Sequence, residues 1–199
     1  ARLAPRLTPE ELAVAYAMIL TMPGVPFLYY GDEIGMRYRN LPTKEGGYVR
    51  TGTRTPMQWD ASANLGFSTA NADDLYLPVD PAPDAPTVEA QQADDGSLYH
   101  WVRTVLSLRE THAALQADAA FDVIAAPEHG RLFAYARTSR DGSDRLVIAL
   151  NPGLGPESFP LPDAATSHGT PTMELSRGNV AADGTTVTLG PQSFVAFSV

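Results

Sequence analysis

The chain contains no cysteine among its 199 residues. Disulfide bonds, thiolate metal sites and cysteine nucleophiles are therefore excluded. Basic residues are also scarce: 14 Lys and Arg stand against 23 Asp and Glu, which gives a formal net charge of -9. Nucleic acids and anionic membranes are bound mainly by clustered basic side chains, so neither is expected as a partner.

Long apolar runs are missing as well. The longest, LAVAYAMIL at 12–20, falls well short of the ~20 residues that cross a bilayer. No secretory leader is visible. The chain starts with ARLAPRLTPEEL rather than with Met, and this start resembles the middle of a domain, so the missing leader indicates little about location.

Motifs for metal, phosphate or nucleophilic chemistry are not found. The sequence has no phosphate-binding glycine loop, nucleophile elbow or EF-hand pattern. The four histidines lack the spacing of metal ligands: His100, His112, His129 and His168. Taken alone, the chain has no complete catalytic constellation.

The first residues predict a helix followed at once by a strand. Thr8, Pro9 and Glu11 form a capping box, and the apolar run that follows predicts a helix covered on more than one side. VPFLYY at 25–30 is apolar without alternation, which indicates a strand buried on both faces of a parallel sheet. A buried helix running directly into such a strand is typical of α/β proteins.

The middle of the chain reads as a long loop followed by a second helix. Residues 31–96 are irregular and rich in Gly and Pro, and a loop of this length in a compact domain is usually functional. The apolar positions of 97–115 recur with helical spacing, so an amphipathic helix is expected there.

Beyond Asp118 the sequence changes to short β-rich runs separated by turn signals such as Asp141-Gly142 and Asp183-Gly184. This pattern predicts an antiparallel β-sandwich. We therefore expect two domains, residues 1–117 with an α/β fold and residues 118–199 with an all-β fold.

Four polar residues near the strand and the loop are candidates for a binding site. Asp32 and Glu33 follow the predicted strand, but neighbouring strand residues point to opposite sides, so both cannot flank one bond. A bracing role, in which they accept backbone N–H bonds, is favoured for each. Arg54 offers a fork of donors that suits sugar hydroxyls, or else a buried ion pair. Gln58 is a weaker polar contact.

Aromatic residues next to these positions leave two interpretations open. Trp59 could stack on a sugar ring, although a packing role is the simpler interpretation. Tyr29 and Tyr30 are expected in the core, with at most one hydroxyl reaching a cleft.

Two segments carry a family likeness. PGVPFLYYGDEIGM, followed by RTPMQWD at 54–60 with Ser62, Asn64, Gly66 and Phe67, resembles the α-amylase family, glycoside hydrolase family 13. The likeness is greatest to the branch with oligo-1,6-glucosidases, α-glucosidases and trehalose synthases. LYLPVD at 75–80 followed by VEAQ at 88–91 looks especially similar to trehalose synthases.

The resemblance implies an architecture and a set of site residues. It would make 1–117 the C-terminal end of a (β/α)8 TIM barrel, with the last helix–strand–helix units, and 118–199 the family's β-sandwich domain C. It implies that Asp32 and Glu33 lie at the active-site end and that Arg54 contacts the substrate, an α-linked glucose disaccharide or oligosaccharide. Arg54 would bind the terminal glucose.

The family's catalytic residues have no counterpart here. Its Asp nucleophile, Glu acid/base and second Asp lie on earlier strands, so the resemblance places them upstream of Ala1. Its calcium ligands also usually lie upstream, so no metal or cofactor is expected in this chain, and calcium stays open for the parent protein.

Three functions follow as alternatives. The first is the C-terminal part of a retaining α-glucoside hydrolase that supplies one wall of the substrate cleft. The second is part of a trehalose synthase, which isomerises maltose by glucosyl transfer. The third is a non-catalytic module whose sandwich binds carbohydrate or protein, for which Phe133 and Tyr135 on one strand face are the candidates. Core packing explains that pair more simply.

The missing carboxylates lead to a direct prediction. Purified residues 1–199 should not hydrolyse maltose or a chromogenic α-glucoside, because no nucleophile and acid/base pair is expected in the chain. Product release would be followed by absorbance and glucose assay. Turnover above that of buffer alone would contradict the assignment of the catalytic groups to upstream residues.

Overall fold

The protein is described by a computed structural model that covers residues 2–4, 6–42, 49–161, 171–183 and 185–199. His168 lies outside the described residues. The chain forms two compact units, one made of 1–12 and 27–103 and the other of 13–26 and 104–199. The predicted domain boundary near residue 118 stays a prediction.

The helices follow the local signals in the sequence. Helix α1 spans Pro9–Thr21, and its capping box is confirmed: the Thr8 N–H donates to Glu11 Oε2 at 2.9 Å, and the Glu11 N–H donates to Thr8 Oγ1 at 3.2 Å. Most of the helix is buried, but Met18 and Ile19 are 40% and 37% exposed. The expectation that α1 is covered on more than one side is therefore met only in part.

The predicted second helix is confirmed, but it ends earlier than expected. Helix α3 spans Leu98–Thr111, and a separate 3-10 turn follows at Ala113–Leu115. The loop before it is less irregular than predicted. It contains a short helix α2, Val88–Ala93, capped by Thr87 Oγ1, which accepts the Ala90 N–H at 3.2 Å.

The prediction of a doubly buried strand at 25–30 is wrong for this chain. These residues belong to neither of the two sheets that the described residues form. Val25 and Phe27 are 71% and 88% exposed. A strand exists only where a neighbour accepts and donates its backbone hydrogen bonds. Apolar composition supplied the strand propensity, but no described segment supplies the paired backbone.

Two antiparallel sheets form within the second unit, and the predicted sandwich is confirmed. One sheet has the strand order β1-β2-β3-β8-β5 and the other β4-β7-β6. The strands span Ala120–Ala125 (β1), Phe133–Thr138 (β2), Arg145–Asn151 (β3), Glu157–Pro160 (β4), Thr172–Arg177 (β5), Val180–Ala182 (β6), Thr186–Leu189 (β7) and Ser193–Ser198 (β8). Strands β4 and β6 are short and were not predicted.

An apolar core lies between the two sheets. Alternate residues of β3 and β8 from the larger sheet pack with residues of β4 and β7 from the smaller one. Its buried members are Leu132, Ala134, Val147, Ala149, Phe159, Leu161, Val187, Leu189, Val195 and Phe197.

The opposite face of the larger sheet carries polar groups that bond to the end of α1. Tyr135 is fully buried, and its hydroxyl lies 2.5 Å from Thr21 Oγ1. Burial raises the pKa of Tyr135 to about 12. The fully buried Arg137 donates to the Thr21 carbonyl at 2.8 Å, the Gln116 carbonyl at 2.7 Å and the Ala120 carbonyl at 3.1 Å.

Arg109 of α3 donates hydrogen bonds to residues at and after the end of α1. Its guanidinium donates to the carbonyls of Leu20 at 2.6 Å and Gly24 at 2.7 Å. The last carbonyls of a helix have no intrahelical donor and carry its negative dipole end, so cationic donors satisfy them well. Burial lowers the pKa of Arg109 and of Arg137, the ordinary response of a cation removed from water.

We predict a large loss of stability when Arg137 is replaced by Met. The substitution keeps much of the volume but removes the hydrogen bonds from the guanidinium to the carbonyls of Thr21, Gln116 and Ala120, and a hydrogen bond of a charged group contributes about 1.5–3 kcal/mol. The expected fall in the free energy of unfolding is about 3 kcal/mol or more, measured by urea denaturation. The exposed Arg140→Met serves as the control. Equal losses for the two variants would contradict the bridging role.

Candidate glucoside-binding site

The segment after residue 28 forms a tight turn rather than the end of a strand. Asp32–Ile34 is a 3-10 turn between Gly31 and Gly35, which have φ values of 81° and 72°. The positive φ of Gly31 suits glycine, and a Cβ there would also lie 2.2 Å from Met36 Sδ. Asp32 and Glu33 are therefore not strand neighbours on opposite faces, and the argument that separated them on that ground is wrong.

Asp32 is held by two donors from the chain. Its Oδ1 accepts from Arg2 Nη1 at 2.9 Å, and its Oδ2 accepts the Tyr29 N–H at 3.3 Å. The second bond is the bracing contact that the sequence analysis favoured. Glu33, its neighbour, is half-buried. Asp32 thus closes the turn and leaves part of its surface facing a cavity.

Arg54 follows a second tight turn. The 3-10 turn Val49–Thr53 ends where the Arg54 N–H donates to the Thr51 carbonyl at 3.0 Å. The turn lies against Arg39, whose N–H donates to the Gly52 carbonyl at 3.0 Å. A Cβ on Gly52 would lie 1.7 Å from the Arg39 carbonyl oxygen, so only glycine fits. Arg54 itself is exposed, so the alternative of a buried ion pair is wrong.

Gln58 lies beneath the loop and lines neither of the two cavities described below. It is 1% exposed, and its side-chain amide donates to the Pro86 carbonyl. The backbone carbonyl of Gln58 accepts the Val88 N–H at 3.0 Å, and the backbone carbonyl of the next residue, Trp59, accepts the Glu89 N–H at 2.9 Å. These contacts favour a bracing role for Gln58. The side chain of Trp59 is 49% exposed.

The 75–86 segment is fixed by an arginine from the turn region. Arg37 Nε donates to Asp80 Oδ2 at 3.0 Å, and its two terminal nitrogens donate to Asp84 at 3.1 Å each. The Arg37 guanidinium lowers the pKa of the Asp84 carboxyl. This network holds Tyr76 and Leu77 beside the loop that carries Arg54.

Two cavities meet at Arg54, and both lie within the first unit. The polar cavity has a volume of about 340 Å³ and is lined by Arg2, Tyr29, Asp32, Arg50, Thr53 and Arg54. The apolar cavity has about 360 Å³ and is lined by Tyr30, Arg54, Pro56, Met57, Phe67, Tyr76 and Leu77. Each could hold one sugar ring. Charged donors in one and aromatic faces in the other match the two kinds of surface that a sugar presents.

Tyr29 and Tyr30 lie at the surface of this region, so their predicted core position is wrong. They are 45% and 40% exposed, and their ring centroids are 4.5 Å apart. Burial raises the pKa of Tyr30, and the neighbouring Tyr29 raises it further. The Tyr30 hydroxyl donates to the Thr55 carbonyl at 2.9 Å, which links the turn to the loop that carries Arg54.

The sequence did not indicate several of the residues that line the cavities, among them Arg2, Arg50, Thr53 and Tyr76. Arg2 and Asp32 are separated by 30 positions in the sequence, so no local pattern predicts their contact. Arg50 could have been noticed as part of the basic spacing RTGTR that ends at Arg54.

Metal binding and membrane spanning find no support in the described part of the chain. No group of three or more His, Asp or Glu side chains there could hold a metal ion. None of the helices within it has the length and apolar character to cross a bilayer.

Comparison with known proteins decides the family. The family profile described as "Alpha amylase, catalytic domain" matches residues 4–118, more than half of the chain. The chain belongs to the α-amylase family. The resemblance inferred from the 22–36 and 54–60 segments is thereby confirmed.

The similar proteins include trehalose synthases and oligo-1,6-glucosidases. The trehalose synthase/amylase TreS of Mycobacterium tuberculosis (strain H37Rv) is 36% identical over 170 residues, which cover 80% of this chain and 27% of that protein. The oligo-1,6-glucosidase of Heyndrickxia coagulans is 26% identical over an alignment of 211 positions, and the alignment covers 91% of this chain and 36% of that protein. The chain therefore spans only about a third or less of the length of these two relatives.

Solved structures give the same fold. A mutant of the trehalulose synthase MutB, from crystals soaked with trehalulose, matches with a TM-score of 0.78 and 23% sequence identity. The match covers 99% of this chain and 40% of that chain. At this identity the likeness supports the fold alone, and it includes the β-rich C-terminal part.

Proposed function

We propose that this chain is the C-terminal part of a retaining, α-glucoside-active enzyme of the α-amylase family. In this proposal residues up to 117 complete the end of its (β/α)8 barrel, and 118–199 form its domain C. The short coverage of the relatives supports this assignment, since the chain corresponds to 27% of TreS and 40% of MutB. The catalytic carboxylates would then belong to the rest of the enzyme.

The observation that carries the proposal is the position of Arg54 between the two cavities. An exposed guanidinium offers several N–H donors in one plane, which suits neighbouring hydroxyls of a pyranose. The glucosyl ring would lie in the polar cavity beside Asp32, whose carboxylate can accept from sugar hydroxyls. Glu33 and Gln58 remain weaker candidates for contact.

Glucose and two glucosides are among the ligands named for solved neighbours. Complexes of MutB mutants with sucrose, with glucose and with isomaltulose are among the matching structures. We propose an α-linked glucose disaccharide or short oligosaccharide as the ligand of this chain's enzyme. The reaction would be the family's two-step displacement at the anomeric carbon, with this chain supplying binding contacts and no reacting group.

Trehalose synthase is the more specific candidate. At 36% the identity to the mycobacterial TreS is higher than the 26% identity to the oligo-1,6-glucosidase of H. coagulans. The LYLPVD and VEAQ segments that resemble trehalose synthases form, in the structure, the Arg37-bound loop and helix α2. The enzyme would then transfer the glucosyl group between two positions of the released glucose.

The non-catalytic alternative depends on exposed aromatic residues in the sandwich. Tyr135 is fully buried and Phe133 is half-buried, and the two rings pack with their centroids 5.1 Å apart. None of the Phe and Tyr side chains in the described sandwich strands is exposed. This arrangement favours core packing over a carbohydrate platform.

We predict that Arg54→Met weakens binding of methyl α-glucoside or maltose to residues 1–199. Loss of charge-assisted hydrogen bonds should raise Kd about ten- to a hundredfold, as measured by NMR titration. Arg103→Met, at an exposed position of α3, is the matched control and should leave Kd unchanged. Equal affinity of the wild type and the Arg54 variant would contradict the assignment of the site.

A second experiment separates the two candidate activities. The complete enzyme that contains this chain would be incubated with maltose, and the products followed over time by chromatography. For a trehalose synthase, trehalose should accumulate ahead of glucose, because the glucosyl group is retained and transferred. Glucose appearing alone from the earliest times would identify a hydrolase instead.

A further inference from the structure

We propose that Arg2 is a positioning residue for the glucoside site: it fixes Asp32 and, through Tyr30, the loop that carries Arg54. The inference rests on the proposed function for its consequence in sugar binding. Its geometric part concerns only contacts among residues of this chain.

The first contact sets the carboxylate. Arg2 is almost fully buried, with its side chain 1% exposed, and Nη1 donates to Asp32 Oδ1 at 2.9 Å. The same nitrogen donates to the Tyr30 carbonyl at 2.8 Å. One guanidinium therefore holds both the backbone and the acidic side chain of the turn, and it occupies one of the acceptor sites of Asp32 Oδ1.

The second contact sets the aromatic pair. The Arg2 guanidinium carbon lies 5.3 Å from the Tyr29 ring centroid and 5.2 Å from the Tyr30 centroid. A cation at these distances is attracted to the negative faces of both rings. Tyr29 lines the polar cavity and Tyr30 lines the apolar one, so Arg2 contacts one lining residue of each.

The third step reaches Arg54. The Tyr30 hydroxyl donates to the Thr55 carbonyl at 2.9 Å, and Thr55 is the residue after Arg54. A shift of the Tyr30 ring would therefore be passed to the backbone that directs the Arg54 guanidinium. Arg2 contacts Tyr30 through a hydrogen bond to its backbone carbonyl and through its ring, and the Tyr30 hydroxyl bonds to Thr55, the neighbour of Arg54.

Two buried donors of Arg2 are unsatisfied, which is an energetic cost that a purely structural side chain would avoid. Among the described residues, its Nε and Nη2 are buried and have no hydrogen-bond partner. Buried donors of this kind usually lower stability, and an apolar side chain of similar length would avoid that cost. The arginine gains only two hydrogen bonds and two ring contacts, all of them to the turn that lines the site.

The test uses isotope-labelled residues 1–199 and follows the Arg54 Nε–Hε resonance together with Kd for methyl α-glucoside. Arg2→Met should shift the Arg54 resonance and raise Kd about tenfold. Arg2→Lys keeps the charge but not the fork of donors, so partial recovery of both quantities is expected. Arg6→Met, at an exposed position of the same segment, is the control and should change neither.

Tyr30→Phe provides a second route to the same result, because it removes the link to Thr55 and leaves Arg2 in place. It should shift the Arg54 resonance even if Arg2→Met fails to fold. An unchanged Arg54 resonance in Tyr30→Phe and in every folded Arg2 variant would overturn the proposal. If the wild type binds no glucoside but the resonance shifts occur, the proposed function fails while the positioning role stands.

Discussion

The buried guanidinium of Arg137 joins three parts of the chain: the end of α1, the segment 116–120 and strand β2. Arg137 lies on β2. It donates to the Thr21 carbonyl at the end of α1 and to the carbonyls of Gln116, just before β1, and Ala120, the first residue of β1. The Thr21 carbonyl lies in the last turn of α1, where carbonyls have no intrahelical donor, so this cation satisfies the helix end and links it to the sheet. Arg109 likewise donates to the carbonyls of Leu20 and Gly24, so two cations bond to the chain at and after this helix end.

The candidate site follows the same principle in the other unit. Arg2 bonds to the turn with Asp32, and Arg37 bonds to the loop through Asp80 and Asp84, so each irregular segment is fixed by a guanidinium from elsewhere in the chain. Loops can carry function only if something rigid holds them, since their own backbone makes few regular hydrogen bonds. In this chain arginine forks supply that rigidity, and Arg54 lies between the two segments that they hold.

Sequence reasoning succeeded where the signal is local. The Thr8 capping box, helix α3 and the longer sandwich strands were all predicted, because caps, helical spacing and turn residues act over a few positions. It failed at 25–30, where apolar composition was taken as evidence for a paired strand, and at Tyr29 and Tyr30, which were placed in the core. Pairing and burial depend on which other segments are present, and composition does not contain that information.

The sequence by itself determined the family, since the 22–36 and 54–60 segments carry its motifs, and it determined the β-sandwich through the alternation of short strands and turns. It also excluded thiol chemistry. Only the tertiary structure decided that Arg2 contacts Asp32, that Gln58 is buried beneath its loop, and that Arg54 separates a polar cavity from an apolar one. Those facts arise from contacts between residues about 20 to 30 positions apart. Such contacts form only when the whole unit packs, so no local pattern encodes them.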